Sequence, residues 1–155
     1  MTLSSGYNKL DGLLATLGGW LQPVFLLIVR GWWGWSFFLT GKGKLLHLGK
    51  TAQFFASLNI PMPKLNAIMA GSTECLGGLL LLAGLFSRLA SVPLIFVLFV
   101  AYATAESEAL HSIFSDTDKF TGATPFLFLL ACLIVFVFGP GKLSLDAVFF
   151  KKSAK

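Results

Sequence analysis

Charge is scarce in this chain. Asp, Glu, Lys and Arg make up 12% of its 155 residues, about half the share of an average soluble domain. Charge is also missing in blocks. Leu65–Thr73, Cys75–Ser87 and Leu89–Ala105 carry none at all. So few charges cannot coat a water-soluble globule of this size, and disordered or coiled-coil chains need many more. Cysteine is nearly absent too. Cys75 and Cys132 both lie inside apolar runs, with no CxxC and no Cys/His spacing for zinc. A disulfide scaffold is therefore excluded, and both read as small packing residues. Phosphate-binding loops, GxGxxG, CxxCH and kinase or hydrolase motifs are also missing.

What is abundant is apolar. The chain is 55% hydrophobic, with a mean hydropathy of +0.79. An integral membrane protein of one domain over residues 1–155 fits this balance. The N-terminus holds Lys9 but no basic cluster ahead of a short apolar core, so no removable signal peptide is expected. The net charge of +5 is accounted for by lysines flanking spans, and no nucleic-acid partner is expected.

A hydrocarbon core about 30 Å thick needs roughly 20 helical residues. Four segments qualify: Trp20–Leu39, Leu65–Phe86, Leu89–Ala105 and Ala123–Gly139. None alternates strictly, so helices are expected rather than barrel strands. Ser87-Arg88 alone joins the second and third, which demands a tight antiparallel hairpin. Thr124-Pro125 reads as an N-cap and first-turn pair, and Gly139-Pro140-Gly141 as a stop. Between the first two spans, Leu45, Leu48, Ala52 and Phe55 recur at helical spacing. That pattern predicts an amphipathic helix lying at the headgroups, closed by Asn59-Ile60-Pro61-Met62-Pro63. Leu143–Phe150 reads as a second, shorter interfacial segment. The expected fold is all-α: an integral membrane four-helix transmembrane bundle with an interfacial amphipathic helix between the first and second spans. The bilayer is its first partner.

Basic residues orient such a bundle. With four spans, Lys9, Arg88, Lys142, Lys151, Lys152 and Lys155 share one side; Lys42, Lys44, Lys50, Lys64 and Lys119 share the other. Both termini are assigned to the cytoplasm.

Arg30 and Glu74 interrupt the first and second spans. A mid-helix ionisable residue costs about 2.5–3.5 kcal/mol on insertion scales, so neither should face lipid. Counted from the Leu39 and Leu65 ends, both lie roughly 13 Å below the same face. An Arg30–Glu74 salt bridge inside the bundle is the simplest expectation. Such a pair either fixes helix register or builds a polar pocket at membrane depth. In the pocket reading, a quinone head group accepts a hydrogen bond from Arg30 and exchanges a proton with Glu74. Ser36, Ser72, Thr73, Tyr102 and Thr104 are candidate lining residues. Glu108 and His111 have the i, i+3 spacing of carboxylate-bridged metal sites; further ligands are lacking, and a solvated loop is the default.

Taken in order, several pieces resemble the DoxX family of small four-helix bacterial membrane proteins. They are Arg30-Gly31, Phe37-Phe38, Gly41-Lys42-Gly43-Lys44, the stretch Phe54–Pro63, Glu74-Cys75-Leu76-Gly77-Gly78, Gly84–Ala90 and Gly139–Asp146. The resemblance covers about Gln22–Phe150. It implies a bacterial cytoplasmic (inner) membrane protein, and the family's arginine and glutamate fall on Arg30 and Glu74. Some DoxX-like and DoxD-like proteins are subunits of quinone-linked oxidoreductase systems; others join redox complexes with soluble partners. The resemblance therefore implies an oxidoreductase subunit with a quinone site and no intrinsic cofactor, its electrons coming from a partner subunit or substrate. A non-catalytic accessory subunit or homo-oligomer, and a small-molecule or lipid-binding protein, are the alternatives. Transport is disfavoured, because no inverted repeat is visible.

Overall fold

The computed structural model describes residues 3–150, and within them the chain is entirely helical, with no strand. Lys151, Lys152 and Lys155, used above for orientation, lie outside the described residues. Among the described residues there are eight helices: α1 (Leu3–Leu46), α2 (Leu48–Ser57), α3 (Pro63–Ala83), α4 (Ser87–Thr104), α5 (Ser107–His111), α6 (Thr117–Gly122), α7 (Pro125–Phe138) and α8 (Leu145–Phe149). α1, α3 and α4 are long and apolar enough to cross a membrane. α7 is equally apolar but has 14 residues, about 21 Å of helix, shorter than the expected Ala123–Gly139.

α1 packs along α3, α4 along α7, and α3 beside α4, while α1 also touches α7. The core is formed by Phe37, Leu81, Leu94, Leu98, Cys132 and Val135. Phe128 adds edge-on contacts to Trp33 and Phe37, with ring centroids 4.8 and 4.7 Å away. The outward faces carry Trp32, Leu76, Leu89, Phe96 and Phe138, each at least 60% exposed. In water that would be an extreme apolar surface; lipid is its natural solvent.

The α1–α3 contact is set by glycine. A Cβ added to Gly34 would lie 2.7 Å from Leu82 N and 2.8 Å from Gly78 O. One added to Gly41 would meet the backbone of Cys75, and Gly71 O at 2.6 Å. Backbones this close tolerate no side chain between them. Gly41 also explains why the first helix does not stop at Leu39. Thr40–Lys44 lies past the expected end of the first span, yet the glycine there serves helix contact and α1 continues to Leu46.

α3 begins at Pro63 in the first-turn position and ends at Gly84, with φ of 69°. Gly84 N–H donates to Leu81 O and Leu85 N–H to Leu80 O, closing the helix in a Schellman arrangement. The second span thus stops three residues before its expected end, and Gly84–Phe86 makes the turn into α4. The amphipathic segment is present as α2, packed on α3. Thr124 and Pro125 occupy the expected start of α7, but the threonine hydroxyl makes no capping bond.

Candidate functional site

Arg30 and Glu74 are both buried, but they do not pair. Gly34 faces Gly78, and Gly41 faces Gly71. This register puts Arg30 level with Gly84, and Glu74 level with the Thr40–Gly41 stretch. About ten residues of helix, about 15 Å, separate the two levels. The expected salt bridge fails because α1 continues to Leu46, seven residues past the expected span end at Leu39.

Arg30 closes one end of the molecule. Its Nη1 donates to Leu81 O at 3.3 Å and its Nη2 to Leu143 O at 2.5 Å. Leu81 O belongs to the last turn of α3, where the helix dipole places partial negative charge. Gly84 lies so close that a Cβ there would collide with the guanidinium. The same end is tied by Asp146, whose carboxylate accepts from Phe86 N–H at 2.7 Å and Ser87 N–H at 3.0 Å. A carboxylate from far along the chain thus satisfies the open N-terminus of α4. Asp146 N–H donates to Gly84 O at 2.8 Å. Ser144 starts α8 by accepting from Ala147 N–H at 3.2 Å. Arg30, the α3–α4 turn and the closing segment therefore form one clasp.

Glu74 is paired with Lys44. Both carboxylate oxygens accept from the ammonium, and the glutamate side chain is 5% exposed against 31% for the lysine. Lys44 reaches inward because α1 carries it past the predicted helix end. The pair stands on the wall of a cavity of about 390 Å3 between α2, α3 and α4. The rest of that wall is mostly apolar: Phe54, Phe55 and Leu58 from α2 and its end, Met69 and Ala70 from α3, and Pro93, Phe96, Val97 and Val100 from α4. Asn66, Thr73 and Thr104 add polar atoms. Asn66 and Thr104 already donate to backbone carbonyls, Pro61 O and Val100 O. An apolar chamber with one ion pair is suited to a ligand with a greasy body and a hydrogen-bonding head.

The other predicted lining residues lie elsewhere. Ser36 donates to Trp32 O and borders a separate hollow of about 360 Å3 with Trp32, Trp35 and Leu82. Tyr102 is buried at the far end of α4, donating to Phe120 O at 3.0 Å and stacking on the Phe120 ring. Ser72 is half-buried, outside the cavity wall. Lys44 is the residue that sequence reasoning missed as a partner for Glu74.

Glu108 and His111 do not come together as ligands. Glu108 accepts from Lys119 Nζ at 2.9 Å, and His111 Nδ1 lies 2.6 Å from Ser107 O. Among the described residues no group of three or more His, Cys, Asp or Glu could hold a metal. The hydrogen bond and charge of Lys119 hold the Glu108 carboxyl below its usual range, and Glu108 raises the Lys119 ammonium in return. Cys75 and Cys132 are free thiols.

Three long apolar helices, a lipid-suited exterior and an ion pair walled into an apolar chamber define an all-helical integral membrane protein. The DoxX family model matches residues 25–107. "Inner membrane protein YphA" of Escherichia coli (strain K12) is 34% identical over 134 residues, covering 83% of this chain and 92% of that protein. The chain belongs to the DoxX family. No solved structure matches it.

Proposed function

We propose that this protein is a bacterial inner-membrane subunit of a quinone-linked oxidoreductase system, and that the α2–α3–α4 cavity takes the quinone head. The single observation that carries the reading is the Lys44–Glu74 pair on an otherwise apolar wall. The α7 helix serves as a fourth span, short enough to require local adjustment of the bilayer or its neighbours. α2 lies at the headgroups, beside the cavity mouth. The inner-membrane name of the Escherichia coli relative supports the location; in this reading both termini face the cytoplasm.

A quinone accepts two electrons and two protons on its carbonyl oxygens. Lys44 donates a hydrogen bond to one such oxygen and orients the ring. Glu74 holds or passes a proton at its carboxylate, beside that same oxygen. Phe54, Phe55, Met69 and Phe96 exclude water and pack the ring and tail. The chain carries no electron-transfer motif of its own, so the electrons come from a partner subunit or a substrate.

The test is quinone titration of the protein in lipid nanodiscs, comparing wild type with Glu74→Gln and Lys44→Gln. A hydrogen bond to a charged group contributes about 1.5–3 kcal/mol, so each variant should bind about tenfold or more weakly. Unchanged affinity in both, with the fold retained, would refute the site. One observation favours a second reading. Both Glu74 oxygens are already taken up by Lys44, as expected of an accessory subunit in which the pair fixes the α1–α3 register. That reading predicts a constant protein partner and no quinone binding.

A further inference from the structure

α1 is far longer than a span. Its 44 residues make about 66 Å of helix, twice the hydrocarbon thickness. The end of the bundle is marked by Arg30, level with the α3–α4 turn, and by Leu26, the first fully buried residue among those described in α1. Leu3–Phe25 therefore runs beyond the bundle, and it precedes or only just reaches the family-matched region at residues 25–107.

This extension has two faces. Leu10, Leu14, Leu17, Leu21, Val24 and Ile28 recur at alternating steps of four and three and are 46–66% exposed. The opposite face carries Asn8, Gly12, Thr16, Gly19 and Pro23. At 100° per residue that polar face continues into Leu26, Arg30 and Gly34, the side of α1 that packs on the bundle. The apolar stripe continues the other way, into Trp32 and Trp35, exposed on the outer flank of the span. One stripe thus faces outward along the whole helix, and the bundle cannot cover it.

Pro23 and Gly18-Gly19 lie where the helix leaves the bundle. Pro23 has no N–H to donate to Gly19 O, and its ring crowds that carbonyl, which bends a helix away from the proline. Pro23 is on the bundle side, so a bend there would be directed outward. Gly18 and Gly19 touch nothing within 4 Å of a Cβ position, so no packing opposes the bend. An outward bend at the membrane face turns the outward stripe down onto the bilayer.

We infer that the Leu10–Leu21 segment is a membrane-surface helix, hinged at Gly18–Pro23, whose leucine stripe lies among the headgroups and upper acyl chains on the outer side of the bundle. The occupant of the stripe is lipid, continuous with the lipid against Ile28, Trp32 and Trp35. This is independent of what the cavity binds.

The experiment places single nitroxide labels at Leu10, Leu14 and Leu17, and at Gly12 and Thr16, in full-length protein reconstituted into phosphatidylethanolamine–phosphatidylglycerol vesicles. All five sites lie outside the bundle, so labelling leaves its packing untouched. Collision rates with oxygen and with a water-soluble nickel chelate are then compared. The three leucine positions should favour oxygen, and positions 12 and 16 should favour nickel, giving a helical period. Equal nickel exposure at all five would put the segment upright in water and overturn the inference. Leucine labels shielded from both reagents, with spin–spin broadening between copies, would overturn it in favour of a dimer seam.

Discussion

The two buried charges show how differently one short chain can shelter an ion. Arg30 sits at the end of the bundle, donating to Leu81 O and Leu143 O, and no carboxylate bridges it among the described residues. Glu74 sits along the middle of α3, with Lys44 on both its oxygens and a cavity beside it. The first arrangement joins three chain segments around an arginine that is 1% exposed. The second joins two helices and leaves an open chamber. Structural charges are enclosed by backbone; a charge beside empty apolar space is available to a ligand.

The sharpest way to break this contrast is to remove the arginine. Arg30→Gln should cost about 3 kcal/mol in a denaturant or thermal unfolding assay, since two carbonyls lose a charged donor in a closed site. It should leave quinone binding intact in the protein that remains folded. Next in size is Gly41→Ala, expected to cost about 1–3 kcal/mol, because the added Cβ forces α1 and α3 apart. Gly43→Ala, whose Cβ meets nothing within 4 Å, should instead gain about 0.5–1 kcal/mol from helix propensity. A loss at both glycines would undo the register on which the separation of the two charges rests.

Glu74→Gln should cost only about 1 kcal/mol in stability, because Lys44, 31% exposed, can turn away. A cost matching that of Arg30→Gln would erase the distinction. The smallest effect belongs to the loop. The Glu108–Lys119 contribution is present above the unfolded pKa of Glu108 and is lost as acid titrates through its lowered folded value. At the alkaline end it fades as pH rises through the raised value of Lys119. Both groups are exposed, so Glu108→Gln should leave the melting temperature unchanged. The titration should be visible only as a local chemical-shift change.

Much of the fold was legible because apolar length is a strong signal. The runs containing Leu26–Phe37, Leu65–Ala83 and Leu89–Thr104 are helices, as read. Of the expected stripe, Leu48, Ala52 and Phe55 lie within α2, whereas Leu45 falls in the last turn of α1. Glu74 was singled out correctly as a buried charge, but its partner was not. Ending the first span at Leu39 overlooks Gly41, because nothing in the sequence shows that this glycine touches the α3 backbone. That misreading moved the end of α1 by seven residues and matched Glu74 to the wrong cation. The clasp was hidden for another reason. Arg30, Gly84 and the Leu143–Asp146 segment are distant in sequence, and their meeting depends on how α7 returns the chain.

The central claim is that a lipid-soluble head group meets Lys44 and Glu74, away from Arg30. Photo-crosslinking with an azido-quinone in native-like membranes, read by peptide mass spectrometry, tests it most directly. Labels on Phe54, Phe55, Met69 or Phe96, suppressed by excess quinone and lost in Glu74→Gln, are the predicted result. Competable labels confined to the Arg30 end, on α8 or the α3–α4 turn, would contradict it.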